Sequence, residues 1–231
     1  MNIALVLSGG IGKRLISEVP KQYVSVKGKM IVTYTLRKLC DHEMIDAVQV
    51  VAERGWWEPI LNEMPGASKI RGFSLPGENR QLSILNGLRD IREYAADSDT
   101  VLVHDAVRPF ISDDMIRDTI EAVKEHDGAV PVLPLKDTVY YSEDGKSLSS
   151  TLQRSKILAG QAPEAFNLGR YLAANETLTK DVMMTLSGST EPALMAGLDI
   201  VTVRGDEKNF KITTNEDMDR FVRILEERDN R

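Results

Sequence analysis

Continuous apolar runs alternate with helix-spaced apolar residues along most of this chain, and that rhythm constrains its fold more than any other feature. Ile3–Leu7 carries no polar position, the mark of a strand buried on both faces of a sheet. Ile31–Cys40 has helical spacing, and Ile45–Ala52 is strand-like again. Leu82, Leu85, Leu88 and Ile91 recur on one helical face, behind an Asn79 able to cap the helix. Thr100–His104 is a second buried strand, and Ser112-Asp113-Asp114 opens a helix holding Met115, Ile116, Ile120 and Val123. Ala129–Leu133 is strand-like, and Asn215 can cap a last helix with Met218, Phe221, Val222 and Leu225 inward. Strands that alternate with helices in this way predict an α/β protein: a mostly parallel sheet with helices on both faces.

Residues 136–160 break the rhythm. TVYYSEDGKSLSSTLQ holds two β-prone runs around Glu143-Asp144-Gly145, which read as a hairpin. It is either an edge decoration or an arm that reaches a partner subunit. The 231 residues suit one domain with one substantial core, and no repeat, linker or low-complexity tract divides them.

A net charge of −6 argues against general nucleic-acid binding, which rests on neutralising phosphates, but leaves room for a local cationic pocket. Cys40, the single cysteine, excludes an intramolecular disulfide and reads as a small buried hydrophobe. The first apolar run is too short for a signal-peptide core, and nothing approaches the roughly 20 apolar residues of a membrane span. A cytoplasmic protein is expected.

The first strand runs into Gly9-Gly10-Ile11-Gly12, then Lys13-Arg14, Pro20 and Lys21. A Walker loop would need a Ser or Thr after Gly12-Lys13, where Arg14 stands. A dinucleotide fingerprint would need a third glycine, where Leu15 stands. What survives is physical: glycines let backbone N–H groups approach phosphate oxygens, and cations follow. Arg14 suits a bidentate grip and Lys21 a point charge. A tight strand-to-helix turn with solvated basic residues reads equally well from the loop alone.

Further along, Thr100–His104 ends in HDAVRPF. Asp105 then lies at the carboxyl end of a central strand, where open α/β sheets bind ligands and where a carboxylate can hold Mg²⁺. Arg108 is close enough to face the same crevice, and His104 reads as structural. Lys211 in NFKITT is either a further phosphate cation or a solvated lysine. Lys136-Asp137-Thr138 opens the hairpin and Arg154 closes it.

Taken together and in order, GGxGxR, PKQY, HDAVRP, KDT, GQAPEAF and NFKITT resemble the cytidylyltransferases of polyol phosphates, across essentially the whole chain. These are the methylerythritol-phosphate and ribitol-phosphate enzymes. The resemblance implies a Rossmann-like three-layer nucleotidyltransferase fold with a protruding hairpin arm. It also implies a reaction in which CTP and a polyol phosphate give a CDP-alcohol and pyrophosphate. By similarity, Gly9, Gly10 and Gly12 line the triphosphate loop, Gly77 and Ser83 the cytosine-and-ribose side. Arg14, Lys21 and Lys211 match catalytic cations. Asp105 matches a Mg²⁺ ligand near the acceptor. Arg108, Thr138 and Arg154 match acceptor-phosphate contacts, with Arg154 supplied by the arm of a second subunit, so a homodimer is implied.

Ser8-Gly9-Gly10, Trp56-Trp57 and GQAPEAFN look closer to the ribitol-phosphate branch, whose products feed cell-wall teichoic acid, than to the branch serving isoprenoid precursors. One departure matters: where both branches carry a Thr-Asp pair ahead of the glycine matched by Gly197, this chain reads Ser187-Gly188. Rival readings are the methylerythritol-phosphate enzyme, a sugar-1-phosphate nucleotidyltransferase, and a nucleotide-binding regulatory domain without catalysis. The last should lack a catalytic cation or the carboxylate, yet Arg14, Lys21, Asp105 and Lys211 are all present.

Overall fold

The first strand, Asn2–Leu7, has sheet neighbours on both sides, as its unbroken apolar run requires. In the computed structural model, which describes residues 1–10 and 19–229, it pairs in parallel with Ala47–Val51 and with Thr100–Asp105. Ala47–Val51 pairs in turn with Ile70–Ser74. Ile3 and Leu5 face one helical layer and Ala4 and Val6 the other, all fully buried. Helices Ile31–Asp41 and Asp113–Ala122 cover one face; Arg80–Arg92 and Leu168–Glu176 cover the other. This is the expected three-layer α/β arrangement with a mostly parallel sheet.

On the other flank the sheet turns mixed. Glu164–Asn167 lies antiparallel between Thr100–Asp105 and Gly128–Pro134. Leu158–Gly160 also runs antiparallel to Gly128–Pro134, while Ile200–Arg204 joins it in parallel. The antiparallel insertion was not visible in the apolar pattern, because AFN is too short to show a period.

Local chemistry decides the helix starts. Asn79 Oδ1 accepts the Leu82 N–H at 2.9 Å and Ser112 Oγ accepts the Met115 N–H at 3.2 Å, each satisfying an orphan donor as expected. At the last helix, Asn215–Asp229, the cap is Thr214 and not Asn215. Thr214 Oγ1 accepts the Asp217 N–H at 3.2 Å, and Asp217 Oδ2 accepts the Thr213 and Thr214 N–H groups in return. That helix buries Phe221 and Leu225 against Ile31, Phe110 and Ile212, making a third apolar cluster beside the sheet.

The hairpin forms as predicted, Val139–Tyr141 against Ser150–Leu152. Its turn is held by Asp144 Oδ1, which accepts the Lys146 and Ser147 N–H groups, with Gly145 at φ +68° where a Cβ would strain the backbone. Tyr140, Tyr141 and Leu148 are exposed on it. Cys40 packs against the core, and burial pushes its thiol up to about 11, as suits an inert residue. Among the described residues, no helix is long and apolar enough to cross a membrane.

Candidate active site

Parallel register brings the carboxyl ends of the strands level. Leu7 pairs with both Val51 and Asp105, and Val51 pairs with Ser74. The segments that follow, Ser8–Gly10, Leu75–Gly77 and Asp105–Arg108, therefore gather at one edge of the sheet, where open α/β sheets place ligands.

The glycine loop is pinned from below. Gln22 Nε2 donates to the Ser8 carbonyl at 2.6 Å and to the Gly10 carbonyl at 2.8 Å. Tyr23 Oη donates to the Ser8 carbonyl at 2.8 Å and stacks on Trp56, ring centroids 3.9 Å apart. Lys21, on the same short turn, donates to the Ile212 carbonyl at 2.9 Å, beside Lys211 in sequence. PKQY thus fastens the loop to the segment that carries Lys211. A Cβ on Gly9 would stand 2.3 Å from Pro76 Cβ, so packing requires that glycine; a Cβ on Gly10 would meet no atom of the described residues within 4 Å, and Gly10 lines the cavity. Gly12 and Arg14, like Lys13, lie outside the described residues.

Gly77 also needs to be glycine, since a Cβ would meet Leu82 Cβ at 2.4 Å. Its N–H donates to Ser83 Oγ at 3.0 Å, and Ser83 Oγ donates to the Asn79 carbonyl at 2.7 Å. Ser83 is thereby a brace for Gly77, with one hydroxyl lone pair left for a ligand donor.

Asp105 is the electrostatic centre. Its Oδ1 receives Arg80 at 3.2 Å; its Oδ2 receives Arg108 at 3.2 Å and Lys211 at 3.1 Å. Burial alone would raise its pKa, but Arg80, Lys211 and Arg108 outweigh burial and hold it well below the usual carboxylate range. Arg108 is fixed further by the Asn209 carbonyl at 2.7 Å. Beneath them, His104 is fully buried with Nε2 3.1 Å from the Arg108 carbonyl oxygen; burial pulls its pKa down to about 4, so it is neutral at pH 7 and structural.

Two cavities open here. The first, about 630 Å³, is lined by Gly9, Gly10, Lys21, Gly77 and Ser83. The second, about 550 Å³, is lined by Arg108, Glu164, Ser187, Gly188 and Thr190. Arg80, Asp105 and Lys211 line both and form the wall between them. Thr138 and Arg154 line neither. Thr138 is exposed at the base of the hairpin, and the exposed Arg154 side chain donates to its own chain's Lys136 carbonyl.

Arg80, Gln22 and Glu164 are functional candidates that stand within the matched segments without a role assigned from the motifs. Arg80 stands next to the Asn79 cap, in the first helical turn beside the crevice, and that position was the available signal.

The chain that builds this crevice has relatives. The family model for 2-C-methyl-D-erythritol 4-phosphate cytidylyltransferase (IspD) matches residues 2–227. A ribitol-5-phosphate cytidylyltransferase from Streptococcus agalactiae serotype V is 32% identical, covering 100% of this chain and 97% of that protein. A 2-C-methyl-D-erythritol 4-phosphate cytidylyltransferase from Geobacter metallireducens is 35% identical over 93% of each chain. The crystal structure of the Francisella tularensis 2-C-methyl-D-erythritol 4-phosphate cytidylyltransferase superposes with a TM-score of 0.81 at 27% identity, covering 95% of this chain and 97% of that one.

Proposed function

From the premise that the chain belongs to the IspD family and is a cytidylyltransferase, we propose that its acceptor is D-ribitol 5-phosphate, giving CDP-ribitol and pyrophosphate. The observation that carries the two-substrate transfer, whichever the acceptor, is the shared wall of Arg80, Asp105 and Lys211 between two cavities. A reaction that joins a nucleotide to a phosphomonoester needs its two phosphates to meet while base and polyol stay apart.

In the proposed mechanism CTP occupies the first cavity, with its triphosphate over Gly9 and Gly10 and its nucleoside towards Gly77 and Ser83. The acceptor occupies the second, with its phosphate near Arg108. An acceptor phosphate oxygen attacks the α-phosphorus, the P–O bond to the β-phosphate breaks, and pyrophosphate leaves. Negative charge builds on the phosphoryl oxygens, and Lys21, Lys211 and Arg80 are the cations that oppose it in this mechanism. Asp105 pairs with Lys211, Arg80 and Arg108 and offsets part of their mutual repulsion, leaving a net positive cluster suited to a phosphate.

Among the described residues no group of three or more His, Cys, Asp or Glu side chains gathers to hold a metal alone. A Mg²⁺ ion would take one protein oxygen, from Asp105, and complete its shell with triphosphate oxygens and water, a division that Mg²⁺ commonly accepts. The donor set fits that shared site, and the bound ion would supply charge neutralisation on the triphosphate.

The ribitol reading is supported by the full-length match to relatives named for ribitol 5-phosphate. The second reading, 2-C-methyl-D-erythritol 4-phosphate, is supported by relatives of similar identity named for that acceptor. A homodimer in which the arm carries Thr138 and Arg154 to the partner's acceptor cavity accounts for their place outside both cavities here. CTP-dependent pyrophosphate release with each acceptor separates the readings. Turnover on D-ribitol 5-phosphate is the expected outcome; turnover on methylerythritol phosphate alone would overturn it.

A further inference from the structure

The second cavity holds a carboxylate that the mechanism above does not use. Glu164 sits on the antiparallel strand beside Thr100–Asp105, directly opposite Val103. Residues two apart share a face, so Glu164 stands on the same side of the sheet as Asp105, one diagonal step away.

Asp105 and Glu164 are the two acids that line this cavity among the described residues. They are in different states. Asp105 is paired with three cations, one on Oδ1 and two on Oδ2. Glu164 makes no ion pair among the described residues: the Arg80 guanidinium donates to Asp105 and to Ser189 Oγ instead. Glu164 Oε2 is buried without a hydrogen-bond partner among the described residues. Burial raises the Glu164 pKa, and the nearby Arg80 charge offsets this only in part. A buried oxygen left unpaired costs stability, so a structural counter-ion for Arg80 would be expected to close on it. The final side-chain torsion of a glutamate is soft, so either oxygen can turn towards the cavity.

The neighbouring loop brings no free carboxylate to this cavity among the described residues. At Ser187-Gly188 the nearby carboxylate of Glu191 is spent on the loop itself. Its Oε1 accepts the Ser187 N–H at 2.8 Å, the Gly188 N–H at 2.7 Å and Ser187 Oγ–H at 2.9 Å.

We propose that Glu164 is a specificity-determining residue that accepts a hydrogen bond from a hydroxyl of the acceptor's polyol chain. The inference rests on the cytidylyltransferase reading of this cavity. Arg108 and Lys211 attract the acceptor phosphate to the shared wall, while a carboxylate repels a phosphate and welcomes a hydroxyl. The two together fix which end of a polyol phosphate points at CTP.

Kinetics of Glu164→Ala and Glu164→Gln test this, using whichever of D-ribitol 5-phosphate and methylerythritol phosphate the wild type turns over. Glycerol 3-phosphate, which keeps the phosphate but lacks the distal hydroxyls, is measured in parallel as an inhibitor. The acceptor KM should rise roughly tenfold to a hundredfold in Glu164→Ala and less in Glu164→Gln, whose amide oxygen still accepts. The KM for CTP and the inhibition by glycerol 3-phosphate should not move. An unchanged acceptor KM, or equal losses for acceptor, CTP and glycerol 3-phosphate, would overturn the assignment. If Glu164→Ala does not fold, Glu164→Gln, nearly isosteric, carries the same test. A wild type inactive on both polyol phosphates would overturn the functional reading itself, an outcome distinct from failure of Glu164 alone.

Discussion

The two cavities share a wall but are built in opposite ways. The nucleotide-side cavity is made from short contiguous motifs that lock onto one another: Gln22 and Tyr23 hold the backbone of Ser8 and Gly10, and Ser83 holds Gly77. The acceptor-side cavity draws single residues from distant parts of the chain, Arg108, Glu164 and Thr190 among them, and leaves Glu164 Oε2 unpaired. A site whose polar groups are satisfied by the protein is preorganised for one ligand. A site with unpaired groups is completed by its ligand, and one substitution there can change which ligand that is.

The largest expected effect falls on the wall that both cavities use. Lys211→Ala should lower kcat roughly 10²- to 10³-fold, because a cation aimed at developing phosphoryl charge acts mainly in the transition state. CTP affinity should fall far less. Steady-state kinetics check this, and near-normal turnover would remove Lys211 from the catalytic set. Lys21→Ala should behave alike.

Support beneath the wall is tested by pH. His104 has a folded pKa of about 4 against an ordinary 6.5. Between these values the unfolded chain binds the proton and the folded one does not, so stability is full above pH 6.5 and falls as pH drops towards 4. The loss amounts to about 3 kcal/mol across the window. Asp105, held below the carboxylate range, keeps its charge throughout, so its own contribution is lost only under more acidic conditions. Urea unfolding at pH 7.5 and 4.5 should show the slope in wild type and a flatter one in His104→Asn. Equal slopes would show that His104 is not the group responsible.

A smaller effect separates the cavities. Gln22→Ala strips a hydrogen bond from the Gly10 carbonyl and one of two from the Ser8 carbonyl. It should cost about 1–2 kcal/mol of stability and raise the KM for CTP, with the acceptor KM unchanged. Equal changes in both Michaelis constants would mean the cavities are one mechanical unit.

The smallest contrast is between adjacent glycines. Gly9→Ala drives a Cβ into Pro76 and should destabilise by about 1–3 kcal/mol. Gly10→Ala meets no atom of the described residues, so its melting temperature should match wild type and its effect should appear in CTP binding. A destabilised Gly10→Ala would deny that this position faces the ligand.

The same contrast explains what could be read from the amino-acid order. The three-layer fold was legible, because strands buried on both faces must be unbroken apolar runs and Asn79 and Ser112 announce their helices. The nucleotide side was largely legible as well, since glycines, PKQY and HDAVRP are contiguous. Thr214 was missed because it and Asn215 are both able to cap and only the backbone geometry chooses. Arg80 was missed because its partner, Asp105, arrives through parallel register 25 residues later. Glu164 was missed because only an antiparallel strand sets it beside Asp105. Thr138 and Arg154 were named from resemblance, and both stand on an exposed hairpin outside the cavities of their own chain.

A crystal structure of the protein with CDP-ribitol bound would test the central claim most directly. The account predicts cytidine beside Gly77 and Ser83, the diphosphate across the wall of Arg80, Asp105 and Lys211, and the ribitol chain in the cavity that contains Glu164. A product lying wholly in the first cavity, or with its polyol in solvent and the second cavity empty, would contradict it.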